Sequence, residues 1–321
     1  MTQFKPGDVL SFSSGFQQRG PQGFRITRPE RSGGLLGVVS QRWPRLLEPF
    51  QGKMPMIING YPANIGRFDF GVLVDSYLSG SVVSRSLMLA ALEGLPVMFL
   101  GQPLFVADAL IRHVARGLSL PDHILLGVGG YVMPASLERA LQELVGPKLK
   151  TLNVLQGYGV AEVDAGVLVG VERNARGELV YYRRDDNVWV ELVGERLHLW
   201  LRDGVTGEWV IQRWETGDYA RPEGDGFVLW NDESRLSPVV TKLLEAWTPE
   251  DWRRRTGFLN VGTATRFQLR RNVTKEQPQE LEHWDYAKQF GFSWLWKPNW
   301  SKGPDLRATV ATLQNSSPIK K

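Results

Sequence analysis

Apolar positions along this chain recur at two different periods, and the change from one to the other divides it. Val106, Leu110, Val114 and Leu118 fall at intervals of four, which predicts an amphipathic helix over 104–118. Leu137, Leu141, Leu144 and Val145 form a second such stripe, predicting a helix over 134–145 that Gly146 stops. A third helix is expected over 84–92, ended by Gly94. Short apolar runs at 54–58, 97–100, 124–128 and 151–155 read as strands. Strand and helix therefore alternate over residues 90–160, the pattern of a parallel sheet with crossover helices. From about 165 to 230 the period becomes two. Runs at 167–171, 179–182, 188–192, 196–201, 208–213 and 227–230 are parted by Gly, Asp and Asn, which predicts an antiparallel sheet or distorted barrel.

The ends are less regular. Residues 4–12 and 24–27 read as strands, parted by a polar, glycine-bearing turn. Near the other end, Thr248-Pro249-Glu250-Asp251 opens a helix: Thr248 caps, Pro249 suits the first helical position, and the acids suit the positive dipole end. The expected fold class is α/β, with a layered sheet-and-helix body over 1–164. An antiparallel β subdomain follows over 165–235, then a reduced, Trp-rich C-terminal appendage over 236–321.

Composition narrows the classes. With 42% hydrophobic and 22% charged residues the chain has the make-up of a globular protein. No apolar run is long enough to span a membrane as a helix. The absence of Cys and of an apolar leader favours a reducing, cytoplasmic compartment. A net charge of +4 is mild, but Arg253, Arg254, Arg255, Arg266, Arg270 and Arg271 crowd together. Four of the twelve Trp (Trp284, Trp294, Trp296, Trp300) follow closely. Such a mixture can stack bases and contact phosphates, or it can be a packing surface for another subunit or for the chain's own core.

Three segments could carry chemistry, and each can also be a plain turn. Ser13-Ser14-Gly15, with Gly20-Pro21-Gln22-Gly23, offers hydroxyls and backbone N–H groups to the phosphates of a nucleotide. Gly157-Tyr158-Gly159-Val160-Ala161-Glu162 follows a strand; Tyr158 could stack on a purine and Glu162 could hold Mg²⁺. In Trp214-Glu215-Thr216-Gly217-Asp218 a carboxylate could accept both hydroxyls of a ribose. The four His show no metal-ligand spacing.

Read in order, these segments resemble the adenylate-forming superfamily of acyl-CoA synthetases, luciferases and peptide-synthetase adenylation domains. The pattern is closest to its phenylacetate–CoA ligase and acyl-protein synthetase branch. Ser13-Ser14-Gly15 and Pro21-Gln22-Gly23 resemble the two ends of the phosphate loop. Gly129-Gly130 and Pro134, then Tyr158-Gly159 through Glu162, resemble the adenine-binding segments. Thr216-Gly217-Asp218, followed by Asp225-Gly226-Phe227, resembles the ribose-binding segment. The resemblance spans residues 8–235 and implies the large domain of that superfamily. It also implies ATP or AMP with Mg²⁺ as cofactors, and as substrates a carboxylic acid and an acyl carrier or CoA. By the same resemblance Ser13, Ser14 and Gly15 hold the triphosphate, Glu162 the metal and Asp218 the ribose, while Arg235 stands for a catalytic arginine. The acid substrate is expected near Tyr131 and Gly157.

Departures open other readings. The loop lysine is replaced by Gln22, the threonine by Ala161, and no lysine stands in a suitable Gly-Lys context. Losing a cation beside pyrophosphate removes a charge-assisted contact of roughly 1.5–3 kcal/mol. A catalytically degenerate relative acting in binding, assembly or inhibition, with a protein partner at the Trp-rich end, is the first alternative. Nucleic-acid binding through the basic, aromatic C-terminal region is the second, and steep salt dependence would mark it.

Overall fold

The structure is a computed structural model, and it describes residues 9–12, 24–27, 34–61, 70–76, 80–130, 132–160, 163–230 and 245–256. Two strands near the start, β1 (Val9–Phe12) and β2 (Phe24–Thr27), pair antiparallel with Val9 opposite Thr27. Everything else is organised by one sheet of eleven strands. Its parallel part is β3 (Met56–Gly60), β4 (Val72–Asp75), β5 (Val97–Gly101), β6 (His123–Gly129) and β7 (Thr151–Val160), in spatial order β4-β3-β5-β6-β7. Pairing turns antiparallel at β8 (Asp164–Arg173), and the sheet continues through β9 (Leu179–Arg183) and β13 (Gly226–Trp230). It ends with β12 (Trp209–Glu223), β11 (Arg196–Arg202) and β10 (Val188–Val193). The period change at 164/165 thus marks a change of strand direction, and hydrogen-bonded pairing runs across it without a break.

The inner parallel strands β3, β5 and β6 bury both faces, as near-continuous apolar strands do. Alternate residues of one strand enter opposite cores. Ile58, Phe99 and Leu126 pack beneath helices α3 (Gly80–Glu93), α4 (Pro103–Ala115) and α5 (Ala135–Leu144). Ile57, Met98 and Leu125 join Val39 of α1 (Gly34–Arg42), Leu46 of α2 (Pro44–Leu47) and Trp43 between the two helices. Leu137, Leu141 and Val145 are fully buried, as their stripe predicts. Gly94 adopts φ +64° after α3, whereas Gly146 opens a short 3₁₀ turn after α5.

Two corrections concern the segments read as turns. Gly157-Tyr158-Gly159 continues β7, with Gly157 paired to both β6 and β8 and Tyr158 to β8. Trp214–Asp218 lies inside the long strand β12. Residues within each segment still pair with an adjacent strand, Tyr158 and Val160 with β8 and Trp214 and Glu215 with β11, so glycine here marks irregular strand. Helix α6 (Pro249–Thr256) forms where the sequence places it, with a reciprocal cap: the Asp251 amide donates to Thr248 Oγ1 at 3.1 Å, and the Thr248 amide to Asp251 Oδ2 at 3.0 Å. It belongs to the body's core. Trp252 is fully buried, meets Trp247 edge-on at 4.6 Å, and donates from Nε1 to Ser136 Oγ at 3.3 Å. The basic and Trp-rich stretch beyond Gly257 lies outside the described residues.

Candidate functional site

The carboxyl ends of the parallel strands gather polar groups around close backbone contacts, the place where open α/β sheets bind ligands. Gly129 closes β6 directly opposite Gly157 of β7. A Cβ on Gly129 would sit 2.9 Å from both the Gly157 carbonyl oxygen and Tyr61 Oη, so only glycine allows this approach. Gly130 follows at φ +90°, where a side chain is strained and where its Cβ would meet Gln102 at 3.7 Å. Buried Gln156 accepts the Met133 amide at 2.9 Å, tying the next stretch to β7. Both first amides of α5, Ala135 and Ser136, donate to Glu245 at 2.8 and 3.0 Å. That helix end is therefore filled by the chain's own carboxylate.

Two irregular pairings aim the remaining residues. Tyr158 pairs with Leu168 and Val160 with Asp164, so Ala165, Gly166 and Val167 stand opposite Gly159 alone. Arg196 pairs with Tyr219 and His198 with Glu215, so Thr216, Gly217 and Asp218 stand opposite Leu197 alone. Gly217 adopts φ +81°, Thr216 Oγ1 donates to the Leu197 carbonyl at 3.0 Å, and the Asp218 amide donates to Thr216 Oγ1 at 3.1 Å. Bulges of this kind re-aim a side chain. Here they bring Tyr158 and Asp218 together: the phenol donates from Oη to Asp218 Oδ2 at 2.5 Å. Tyr181 lies edge-on to Tyr158 at 6.2 Å, and burial, with the Asp218 charge adding to it, pushes its hydroxyl well above the ordinary tyrosine range. Behind the site, Arg184 donates to Asp164 Oδ2 at 2.8 Å and to Asp185 Oδ2 at 2.9 Å. Desolvation opposes its charge, but the two carboxylates outweigh it and hold the guanidinium firmly protonated. The pair fixes the start of β8.

Of the residues expected from sequence, the structure brings Tyr158 and Asp218 into contact, with Gly159 beside them, and sets Gly129 and Gly130 at the end of the neighbouring strand pair. Ser13, Ser14, Gly15, Tyr131, Glu162 and Arg235 lie outside the described residues. Sequence reasoning missed Asn59, Ser76 and Gln102, buried polar residues at the ends of β3, β4 and β5. Their one signal is a polar residue directly after or within an apolar run. Asn59 Oδ1 accepts the Tyr61 amide at 2.9 Å, and Ser76 Oγ donates to the Asn59 carbonyl at 2.5 Å, so both order the strand ends. The indole Nε1 of Trp214 is buried with no hydrogen-bond partner among the described residues. No group of three potential metal ligands occurs among the described residues. None of the described helices is long and apolar enough to cross a membrane.

No protein-family model matches the sequence, and no curated protein matches it. Solved structures do resemble the fold. One is an acyl-CoA synthetase (AMP-forming)/AMP-acid ligase II-like protein from Dyadobacter fermentans, 14% identical, with a TM-score of 0.41 over 70% of this chain and 60% of the other. Another is the anthranilate CoA ligase AuaEII in complex with anthranoyl-AMP, 16% identical, with a TM-score of 0.45 over 70% of this chain and 46% of the other. This chain thus spans between 46% and 60% of the length of these two.

Proposed function

We propose that this chain binds an adenine nucleotide, ATP or AMP, across the Gly129–Gly130 end of β6, Tyr158 and Asp218. The observation that carries the reading is the Tyr158–Asp218 contact. The family resemblance assigns Tyr158 to the base and Asp218 to the ribose of one nucleoside. Residues with adjoining roles must adjoin in space, and these two, 60 positions apart in sequence, meet at 2.5 Å. The close approach at Gly129, with Gly130 in its left-handed conformation, leaves backbone free of Cβ atoms beside them.

The reaction that fits such a site is adenylation of a carboxylic acid. A carboxylate oxygen forms a bond to the α-phosphorus of ATP while the bond from that phosphorus to the bridging β-oxygen breaks, releasing pyrophosphate. The protein's share is in-line positioning and neutralisation of phosphate charge. Ser13, Ser14 and Gly15 would hold the triphosphate and Arg235 would act near the reacting centre. Glu162 would hold Mg²⁺, which would supply positive charge beside the phosphates. An acyl carrier or CoA is the expected acceptor of the acyl group. Titration calorimetry with ATP and AMP tests the reading: Asp218→Ala should weaken binding by more than about tenfold, the loss of a charge-assisted hydrogen bond. Absence of heat at millimolar nucleotide would sink it.

A second reading rests on Gln22, which puts a neutral amide where the resembling loop carries a cation. On that reading the chain keeps the nucleotide site as a binding or assembly protein without turnover. Pyrophosphate exchange across a panel of carboxylic acids separates the two. Exchange establishes the ligase; nucleotide binding without exchange establishes the second reading.

A further inference from the structure

Helix α3 carries apolar side chains on both of its faces. Val83, Leu87 and Ala90 are fully buried in the main core. Opposite them, Met88 is 41% exposed, Leu89 49% and Leu92 81%. A single-sided amphipathic helix would place polar residues there. Arg85 and Glu93, both exposed, bracket the three, so Arg85, Met88, Leu89, Leu92 and Glu93 follow the i, i+3, i+4, i+7, i+8 spacing of one helix seam.

The charges at the two ends of this seam identify its occupant. Glu93 is the last residue of α3, at the negative end of the helix dipole, where a carboxylate is locally unfavourable. Neither Arg85 nor Glu93 makes an ion pair among the described residues. Cation at one end, apolar middle and anion at the other is a pattern that becomes its own complement when turned end for end. We propose that α3 docks against α3 of a second copy of this chain, antiparallel about a two-fold axis at Leu89. Arg85 of each copy then faces Glu93 of the other, and Met88, Leu89 and Leu92 close over one another. Eight residues of helix separate the two charges by about 12 Å, so both ion pairs form at once on a straight antiparallel mate. An interface of this symmetry presents the same patch from both subunits. The inference is independent of the nucleotide site.

Sedimentation velocity on the full chain, over a concentration series reaching about 100 µM, tests it. The wild type should form dimers. Leu89→Lys, which sets two like charges on the axis, should weaken dimerisation at least about a hundredfold while leaving the thermal transition of the monomer unchanged. Arg85→Glu and Glu93→Arg should each weaken it by about tenfold, and the double reversal should restore it to within about threefold of wild type. A wild type that stays monomeric overturns the proposal. So does a dimer that survives Leu89→Lys, or a double reversal that fails to restore what the single ones lose.

Discussion

The two halves of the eleven-stranded sheet solve the burial problem differently. In the parallel half, helices cover both faces of the inner strands, and β3 is buried at every position. In the outer antiparallel strands only one face enters a core. There Val188, Leu197, Leu199 and Leu201 pack together, while the other face shows Trp189 at 56% exposure. That open face is built of rings and guanidinium planes: Arg202 lies 4.2 Å over Trp209, Arg196 lies 4.1 Å over Tyr219, and Trp200 meets Trp209 edge-on at 5.3 Å. Such pairs shield indole area without a covering layer. The candidate site belongs to neither half alone. Its glycines end a parallel strand, Tyr158 sits on the last parallel strand, and Asp218 comes from the antiparallel half. A rigid, doubly covered scaffold thus holds one side of the site and a singly covered sheet supplies the other.

Mutations test that contrast. The largest effect is expected at Phe99, fully buried in β5 and edge-on to Phe105 at 6.1 Å. Phe99→Ala should lower the free energy of unfolding by about 3–5 kcal/mol in denaturant titrations, because a doubly covered strand cannot collapse into the void. Next comes Arg184, whose removal leaves Asp164 and Asp185 largely buried without their cation. Arg184→Met should cost about 2–4 kcal/mol, somewhat below the figure for a fully buried pair, because both carboxylates retain some exposure. It should also weaken nucleotide binding, because the start of β8 adjoins the site; a stability loss with unchanged affinity would separate that anchor from the site. The smallest effect is expected at Trp189 on the open face. Trp189→Ala should change stability by less than about 0.5 kcal/mol. A loss there comparable to that at Phe99 would mean that the outer face is covered after all, and the contrast between the halves would fail.

Much of the scaffold was legible because its signals are local. The four-residue stripes of α4 and α5, the apolar runs of β3, β5 and β6, and the Thr248–Asp251 cap each depend on neighbours within a few positions. Elements without such a signal were missed. Helix α1, Gly-Leu-Leu-Gly-Val-Val-Ser-Gln-Arg, contains two glycines and no polar face, and only packing of Val39 against the far side of the sheet explains it. Edge strand β4 is four residues long and largely exposed, too short for a period to show. The two segments read as turns failed for the opposite reason: glycine is a turn signal locally, but pairing of the neighbouring residues with adjacent strands carries both through as bulged strand.

The sequence by itself determined the order of strands and helices, the switch of period near residue 164, and which residue types stand at the candidate site. Hydrophobic periodicity records only whether a position is inside or outside, so it carries that much and no more. The tertiary structure decided what pairs with what. Continuity of one sheet through the parallel-to-antiparallel switch, the three-against-one pairings that turn Tyr158 and Asp218 toward each other, and the return of Trp247 and Trp252 to the core all join residues far apart in the chain. Long-range pairing depends on register and on which surfaces remain to be covered once local elements exist, and neither quantity is written in any one segment.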